Sequence, residues 1–236
     1  MAFNFQTFKT RALTALLFVV VMLTGLLWNF WSFLILFTVI HFGCWYEFVK
    51  LMKKIDGDKY LGYCLFGLIY ITMPVLMMID LGSEWRIHTL DKTNEVIYNM
   101  VIPVTVIFSI WVNDTMAYLV GSFIGKTPLT KISPKKTWEG TLGGIILCII
   151  AIGFLLPLLL DKQLQLSTIP ASAWFIIPAI CAIFGTLGDL FESKLKRMAG
   201  VKDSGSFMPG HGGFLDRFDS LLVAVPAVWA YVYFIM

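Results

Sequence analysis

The chain has 236 residues, of which 58% are hydrophobic, 15% aromatic and only 14% charged, with a formal net charge of +3. A mean hydropathy of +0.80 gives it more apolar surface than one soluble core can hide, so the bilayer must be its solvent and a soluble globular enzyme is excluded. No nucleic-acid partner is expected either, because the basic residues stand at the ends of apolar runs and form no continuous stripe.

Long unbroken apolar runs suit transmembrane helices, whereas barrel strands show short alternating segments. Such runs occur at 12–27, 29–49, 60–81, 97–120, 140–160, 173–191 and 217–236. The expected fold is therefore all-α, a polytopic transmembrane helical bundle of about seven spans. The first run follows Lys9 and Arg11, but no small-residue cleavage site comes after it, so it reads as a retained span. With the N-terminus in the cytoplasm, all but Arg86, Lys92 and Lys162 of the 18 Lys and Arg fall on the cytoplasmic side, as the positive-inside rule requires. No extramembrane segment is long enough for a second domain. Residues 1–236 are read as a single integral membrane domain, with N-terminal spans in 1–96 and a catalytic half in 97–236. Cys44, Cys64, Cys148 and Cys181 lie singly in apolar runs, without metal or disulfide spacing, and read as packing residues.

The first three runs hold few ionisable groups. His41 has no carboxylate three or four positions away and reads as a partner for a neighbouring helix. Glu47, three residues before Lys50, reads as one half of an interfacial ion pair.

Polar constellations begin at the end of the fourth run with Asn113, Asp114 and Tyr118. A loop carrying Lys135 and Lys136 follows. Asp114 and Tyr118 are one helical turn apart and share a face. Gly121, Gly125, Gly140, Gly143 and Gly144 read as close-packing positions between helices. The stretch GSFIGKT, Gly121 to Thr127, mimics a phosphate-binding Walker loop, but it is one residue short between its glycines and ends a membrane span instead of following a strand.

Extending the sixth run as a helix places Asp189, Glu192, Ser193 and Lys196 on one face, with Arg197 beside them. A carboxylate at such depth is costly unless a cation or a water-filled cleft receives it. The last run opens with Asp216, Arg217 and Asp219 near a helix N-terminus, where the helix dipole favours acids. Between these two helix ends lie Lys202 and the turn Pro209, Gly210, His211, Gly212, Gly213, whose backbone can approach a phosphate closely. Ionisable groups concentrated in this way call for a polyanionic ligand, metal ions, or both.

Ser193, Lys196, Arg197, Lys202, Asp203, Pro209, His211, Gly212, Gly213, Asp216, Arg217 and Asp219, in this order and spacing, closely resemble the signature of the phosphatidate cytidylyltransferase (CDP-diacylglycerol synthase) family. WVNDTMAYLVGSFIGK from Trp111 and SPKKTWEGTLGG from Ser133 are similar to that family too, so the resemblance covers the C-terminal half. Met208 departs from the pattern, which has Leu, Ile or Phe there.

The resemblance implies that CTP and phosphatidic acid react to give CDP-diacylglycerol and pyrophosphate at a multi-pass protein of the cell (inner) membrane, with its site facing the cytoplasm. It implies Asp189 and Asp216 as ligands of Mg2+ or Mn2+, Asp219 in support, a second, monovalent cation such as K+, and a homodimer. Lys196, Arg197 and Lys202 are expected to bind phosphates. Ser193, His211, Gly212, Gly213 and Arg217 join them on the substrate side. Asn113, Asp114, Tyr118, Lys135 and Lys136 are assigned to the nucleotide because they share the cytoplasmic face and carry matching charge.

His211 is expected to shape the loop or bond a phosphate, since an ionised phosphate needs no base to attack. The spacing leaves open a related CTP-dependent lipid enzyme, making CDP-archaeol or phosphorylating a polyprenol. An ion-coupled transporter, a more distant alternative, leaves the basic loop unexplained.

Overall fold

The computed structural model describes residues 5–83, 99–160, 169–207 and 212–236. Arg86, Lys92, Lys162, Met208, Pro209, Gly210 and His211 lie outside the described residues.

The elements in chain order are α1 (Phe5–Leu27), α2 (Phe30–Asp56), a 3-10 turn (Gly57–Leu61), α3 (Gly62–Gly67), a π-helical turn (Leu68–Thr72), α4 (Met73–Gly82), α5 (Val101–Ile124), α6 (Trp138–Leu160), α7 (Ala173–Met198) and α8 (Leu215–Phe234). Among the described residues the only extended pairing is an isolated bridge between Pro128 and Thr137, so the all-α expectation holds. Each expected apolar run is helical, the third as α3 and α4 joined through the π turn. Among the described residues, four helical stretches are long and apolar enough to cross a membrane: Phe30–Gly82, Val101–Ile124, Trp138–Leu160 and Ala173–Met198. The apolar part of α1, Ala12–Leu27, is shorter.

The chain divides into two compact units, one of residues 1–100 and 195–218, the other of residues 101–194 and 219–236. Both α7 and α8 begin in one unit and end in the other.

In the first unit, α1 and α2 meet at a break that Asn29 creates. Its side chain accepts from Ser32 N at 2.9 Å and its own N–H donates to Ser32 Oγ at 3.1 Å, a reciprocal cap that satisfies two orphan donors. Gly57, at φ +52, closes α2. One stripe of α2 is buried, running Phe33, Phe37, Ile40, Cys44, Glu47, Phe48 and Leu51. His41 bonds the neighbouring helical segment as expected: its Nε2 lies 3.0 Å from Thr72 Oγ1, which also accepts from Trp45 Nε1 at 2.9 Å.

In the second unit, α5 and α6 pack through glycines. A Cβ added at Gly140 would collide with the Ala117 carbonyl and Gly121 Cα, and one at Gly144 with Ala117 itself. These glycines therefore act in helix packing. Cys148 and Cys181 are buried and free, and Cys148 Sγ lies 3.1 Å from the Ser109 carbonyl.

Gly144→Val is expected to force α5 and α6 apart at a cost of about 1–3 kcal/mol. Its thermal unfolding midpoint in detergent should fall, while Leu158→Val, at a position 73% exposed, should leave it unchanged.

Candidate functional site

In the first unit the site is built on a helix stop. The Gly200 N–H donates to the Arg197 carbonyl at 3.1 Å and the Val201 N–H to the Lys196 carbonyl at 2.9 Å. With Gly200 at φ +65, this is the paired cap that ends a helix in a left-handed residue. The chain turns sharply here, and Lys196 is left on the last turn, where a cation meets the negative end of the helix dipole.

Lys196 Nζ lies 2.6 Å from Asp216 Oδ1, with both side chains largely buried. The other oxygen of Asp216 is fully engaged. Oδ2 accepts from Gly213 N at 2.8 Å, Ser204 N at 2.9 Å and Ser204 Oγ at 2.9 Å. Burial pushes this carboxyl up, but the bonds donated by Gly213, Lys196 and Ser204, with the lysine charge, more than offset it and hold it below the usual carboxylate range. Asp216 therefore stays ionised through the neutral range. Gly212, at φ +85, sits so close that a Cβ would strike Asp216 Oδ2.

A second carboxylate enters the same knot, and sequence reasoning misplaced it. Glu47 is buried at 3% exposure and, among the described residues, makes no ion pair with Lys50 or any other cation. Its Oε2 accepts from Ser204 Oγ at 2.6 Å and from Leu215 N at 2.9 Å. Leu215 opens α8, so Glu47 serves as a remote cap for one of its orphan donors. A Cβ on Gly205 or Gly213 would overlap the Glu47 carboxylate, which explains the glycines as clearance for an acid. Ser204 has one hydroxyl proton and two carboxylates within reach, so it ties α2 to the loop and to α8. A signal for this was present: spacings of four and three from Phe33 through Cys44 place Glu47 on the buried stripe. Of the other residues expected here, Arg197, Lys202 and Arg217 are exposed, and Arg197 donates to the Val201 carbonyl at 3.3 Å.

In the second unit, a cleft of about 510 Å3 gathers every residue assigned to the nucleotide from sequence, namely Asn113, Asp114, Tyr118, Lys135 and Lys136, together with Asp189. α5 supplies one wall, α7 contributes Thr186 and Asp189, and the loop from Ser133 to Thr137 completes it. Lys136 forms an ion pair with Asp189 Oδ2, and Ser193 Oγ donates to Asp189 Oδ1 at 3.3 Å. Glu139, not singled out from the sequence, shapes this loop by accepting from Lys126 N, Thr127 N and Thr127 Oγ1 at 2.8–3.2 Å. It thereby takes the amides that a Walker loop would offer to phosphate. Asp219 is buried, its backbone carbonyl against Gly188 where no Cβ could fit.

A metal site held by three or more His, Cys, Asp or Glu side chains does not occur among the described residues. The donor set present is a sparser one. Asp189 and Asp216 each have one oxygen facing a lysine ammonium, so each already receives a positive charge. Mg2+ is usually bound by one or two carboxylates with waters and substrate phosphates, and each of these acids, taken singly within its own unit, suits that pattern.

A model described as the cytidylyltransferase family matches residues 60–235. The chain is 38% identical over 190 residues to a phosphatidate cytidylyltransferase of Bacillus subtilis, a match covering 80% of this chain and 63% of that protein. It is 36% identical over 165 residues to a phosphatidate cytidylyltransferase of Staphylococcus saprophyticus, covering 70% and 56% respectively. Phosphatidate cytidylyltransferase 4, chloroplastic, of Arabidopsis thaliana is 46% identical over 121 residues, covering 50% of this chain and 29% of that one. The matched stretches thus span about half, or less than two thirds, of the relatives' own lengths.

Replacing Glu47 by Leu strands the Leu215 N–H, at about 1–3 kcal/mol for the donor left unmet, while the Ser204 hydroxyl keeps Asp216 Oδ2 as its acceptor. Trypsin should then cut at Lys202 many times faster than in the wild type, with Glu47→Gln intermediate. Equal cleavage rates in all three proteins would dismiss the tether.

Proposed function

Because the chain belongs to the cytidylyltransferase family, we propose that it transfers a cytidylyl group from CTP to phosphatidic acid, forming CDP-diacylglycerol and pyrophosphate. The observation that carries this proposal is the cleft where Lys135, Lys136, Asp114, Asn113 and Asp189 converge. It offers cations for a polyphosphate and acids for a metal. The names of the relatives, each a phosphatidate cytidylyltransferase, supply the lipid acceptor.

In this reaction an oxygen of the lipid phosphate forms a bond to the α-phosphorus of CTP as the bond to the bridging oxygen breaks, and pyrophosphate leaves with the electron pair. The nucleophile is already an anion at neutral pH, so no protein base is needed. The demand on the protein is to neutralise two polyanions and to align them. Lys135 and Lys136 are proposed to receive the triphosphate. Lys196, Arg197 and Lys202 are proposed to bind phosphate of nucleotide or lipid, with Ser193, Arg217 and the backbone of Gly212 and Gly213 in support.

Asp189 and Asp216 are the proposed carboxylates that would hold Mg2+ or Mn2+, with Asp219 in support. When bound, such an ion lowers the cost of charge developing on the phosphate oxygens. A second, monovalent cation such as K+ and a homodimer belong to the same proposal and rest on family likeness. The proposed location is the cell membrane with the site on the cytoplasmic face, supported by the distribution of Lys and Arg.

Detergent-purified protein given radiolabelled CTP, phosphatidic acid and Mg2+ should produce a lipid-soluble cytidine compound, and a chelator should abolish it. Phosphorylation of a polyprenol in place of that product would redirect the proposal to a lipid kinase. Asp189→Asn and Asp216→Asn should each lower turnover by about 100-fold or more, with membrane insertion intact. Wild-type rates in either variant would remove that residue from the metal assignment.

A further inference from the structure

Of the three donors that Asp216 Oδ2 receives, two belong to a single residue, Ser204, through its N–H and its hydroxyl, each at 2.9 Å. Where Ser204 stands therefore sets how the Asp216 carboxylate is turned, and with it the approach of Oδ1 to Lys196 Nζ at 2.6 Å. Residues 201–207, which carry Ser204, form no helix, so no ladder of backbone bonds holds it. Its anchor comes from far away in the chain. The hydroxyl lies 2.6 Å from Glu47 Oε2, and Glu47 stands on the long helix α2 between Cys44 and Phe48, both fully buried.

We propose that Glu47 is a positioning residue for the cytidylyl transfer: acting through Ser204, it holds the Asp216 carboxylate and its Lys196 partner in the orientation that receives metal and phosphate. The proposal rests on Asp216 serving that reaction. Family membership gives Glu47 no such part, because the matched stretch begins at residue 60. Helix capping accounts for the bond from Leu215 N, but it leaves unexplained why the second donor to Glu47 is the same hydroxyl that meets Asp216.

Groups that orient a ligating side chain from behind change metal affinity or activity by about 10- to 100-fold when removed. Both bonds to Glu47 end on one oxygen, Oε2. A glutamine can therefore accept both through its amide oxygen, whereas a leucine accepts neither.

The test uses detergent-purified wild type, Glu47→Leu and Glu47→Gln with CTP, phosphatidic acid and titrated Mg2+. Glu47→Leu should lower kcat about 10- to 100-fold and raise the Mg2+ concentration giving half-maximal rate, a constant that loss of folded protein does not move. Glu47→Gln should recover both. Placed in Asp216→Asn, Glu47→Leu should cost nothing further, because a residue that acts through Asp216 has lost its target. A readout without turnover is the acetylation of Lys196, followed by mass spectrometry in protein free of metal and nucleotide. Lys196 is largely buried against Asp216, so its labelling should quicken several-fold in Glu47→Leu and not in Glu47→Gln. A lower kcat with an unchanged Mg2+ requirement, or a full further loss in Asp216→Asn, would leave Glu47 a cap and overturn the proposal. If the wild type makes no lipid-soluble cytidine product, the failure lies with the proposed reaction, and Lys196 labelling then decides: equal rates in the three proteins overturn the positioning role, and a faster rate in Glu47→Leu alone supports it.

Discussion

A carboxylate withdrawn from bulk water must be given donors or a cation, and this one requirement organises both polar regions of the protein. In the first unit, Glu47 and Asp216 are brought to the same serine hydroxyl. Two acids so close are tolerable because Lys196 faces one of them and because Ser204, Gly213 and Leu215 donate backbone N–H groups to the pair. In the second unit, Asp189 is satisfied by Lys136 and Ser193. The glycines follow from the acids: Gly205, Gly212 and Gly213 leave the room that these carboxylates occupy.

Under the proposed function the same arrangement would receive a polyanion. Each acid expected to hold a metal is paired with a lysine that could also face phosphate, so nucleotide, metal and lysine compete for a small set of charges. The left-handed stop at Gly200 and the loop that Glu139 closes set where the chain carries Lys196 and Lys136.

The helices could be read from hydropathy because each apolar run was near the length a bilayer demands, although α1, α2 and α7 each extend seven residues beyond the apolar run and the third run is broken by a π turn. The site was legible in part. Asn113, Asp114, Tyr118, Lys135 and Lys136 were grouped from charge and a shared helix end, and they do line one cleft. Glu47 was misplaced because Lys50, three residues on, offered an obvious surface partner, while the real partners, Ser204 and Leu215, lie more than 150 residues away in the chain. Glu139 was missed for a related reason, since its partners are backbone N–H groups and a threonine hydroxyl, which no spacing pattern marks.

By itself the sequence determined that the protein is helical, membrane-embedded and equipped with acids, lysines and glycines suited to phosphate chemistry, because length, hydropathy and residue type are local properties. Only the tertiary structure decided which donor meets which acid and that Glu47 caps a distant helix. Hydrogen bonds are short and directional, so their pairing depends on how distant segments fold together and cannot be read from position along the chain.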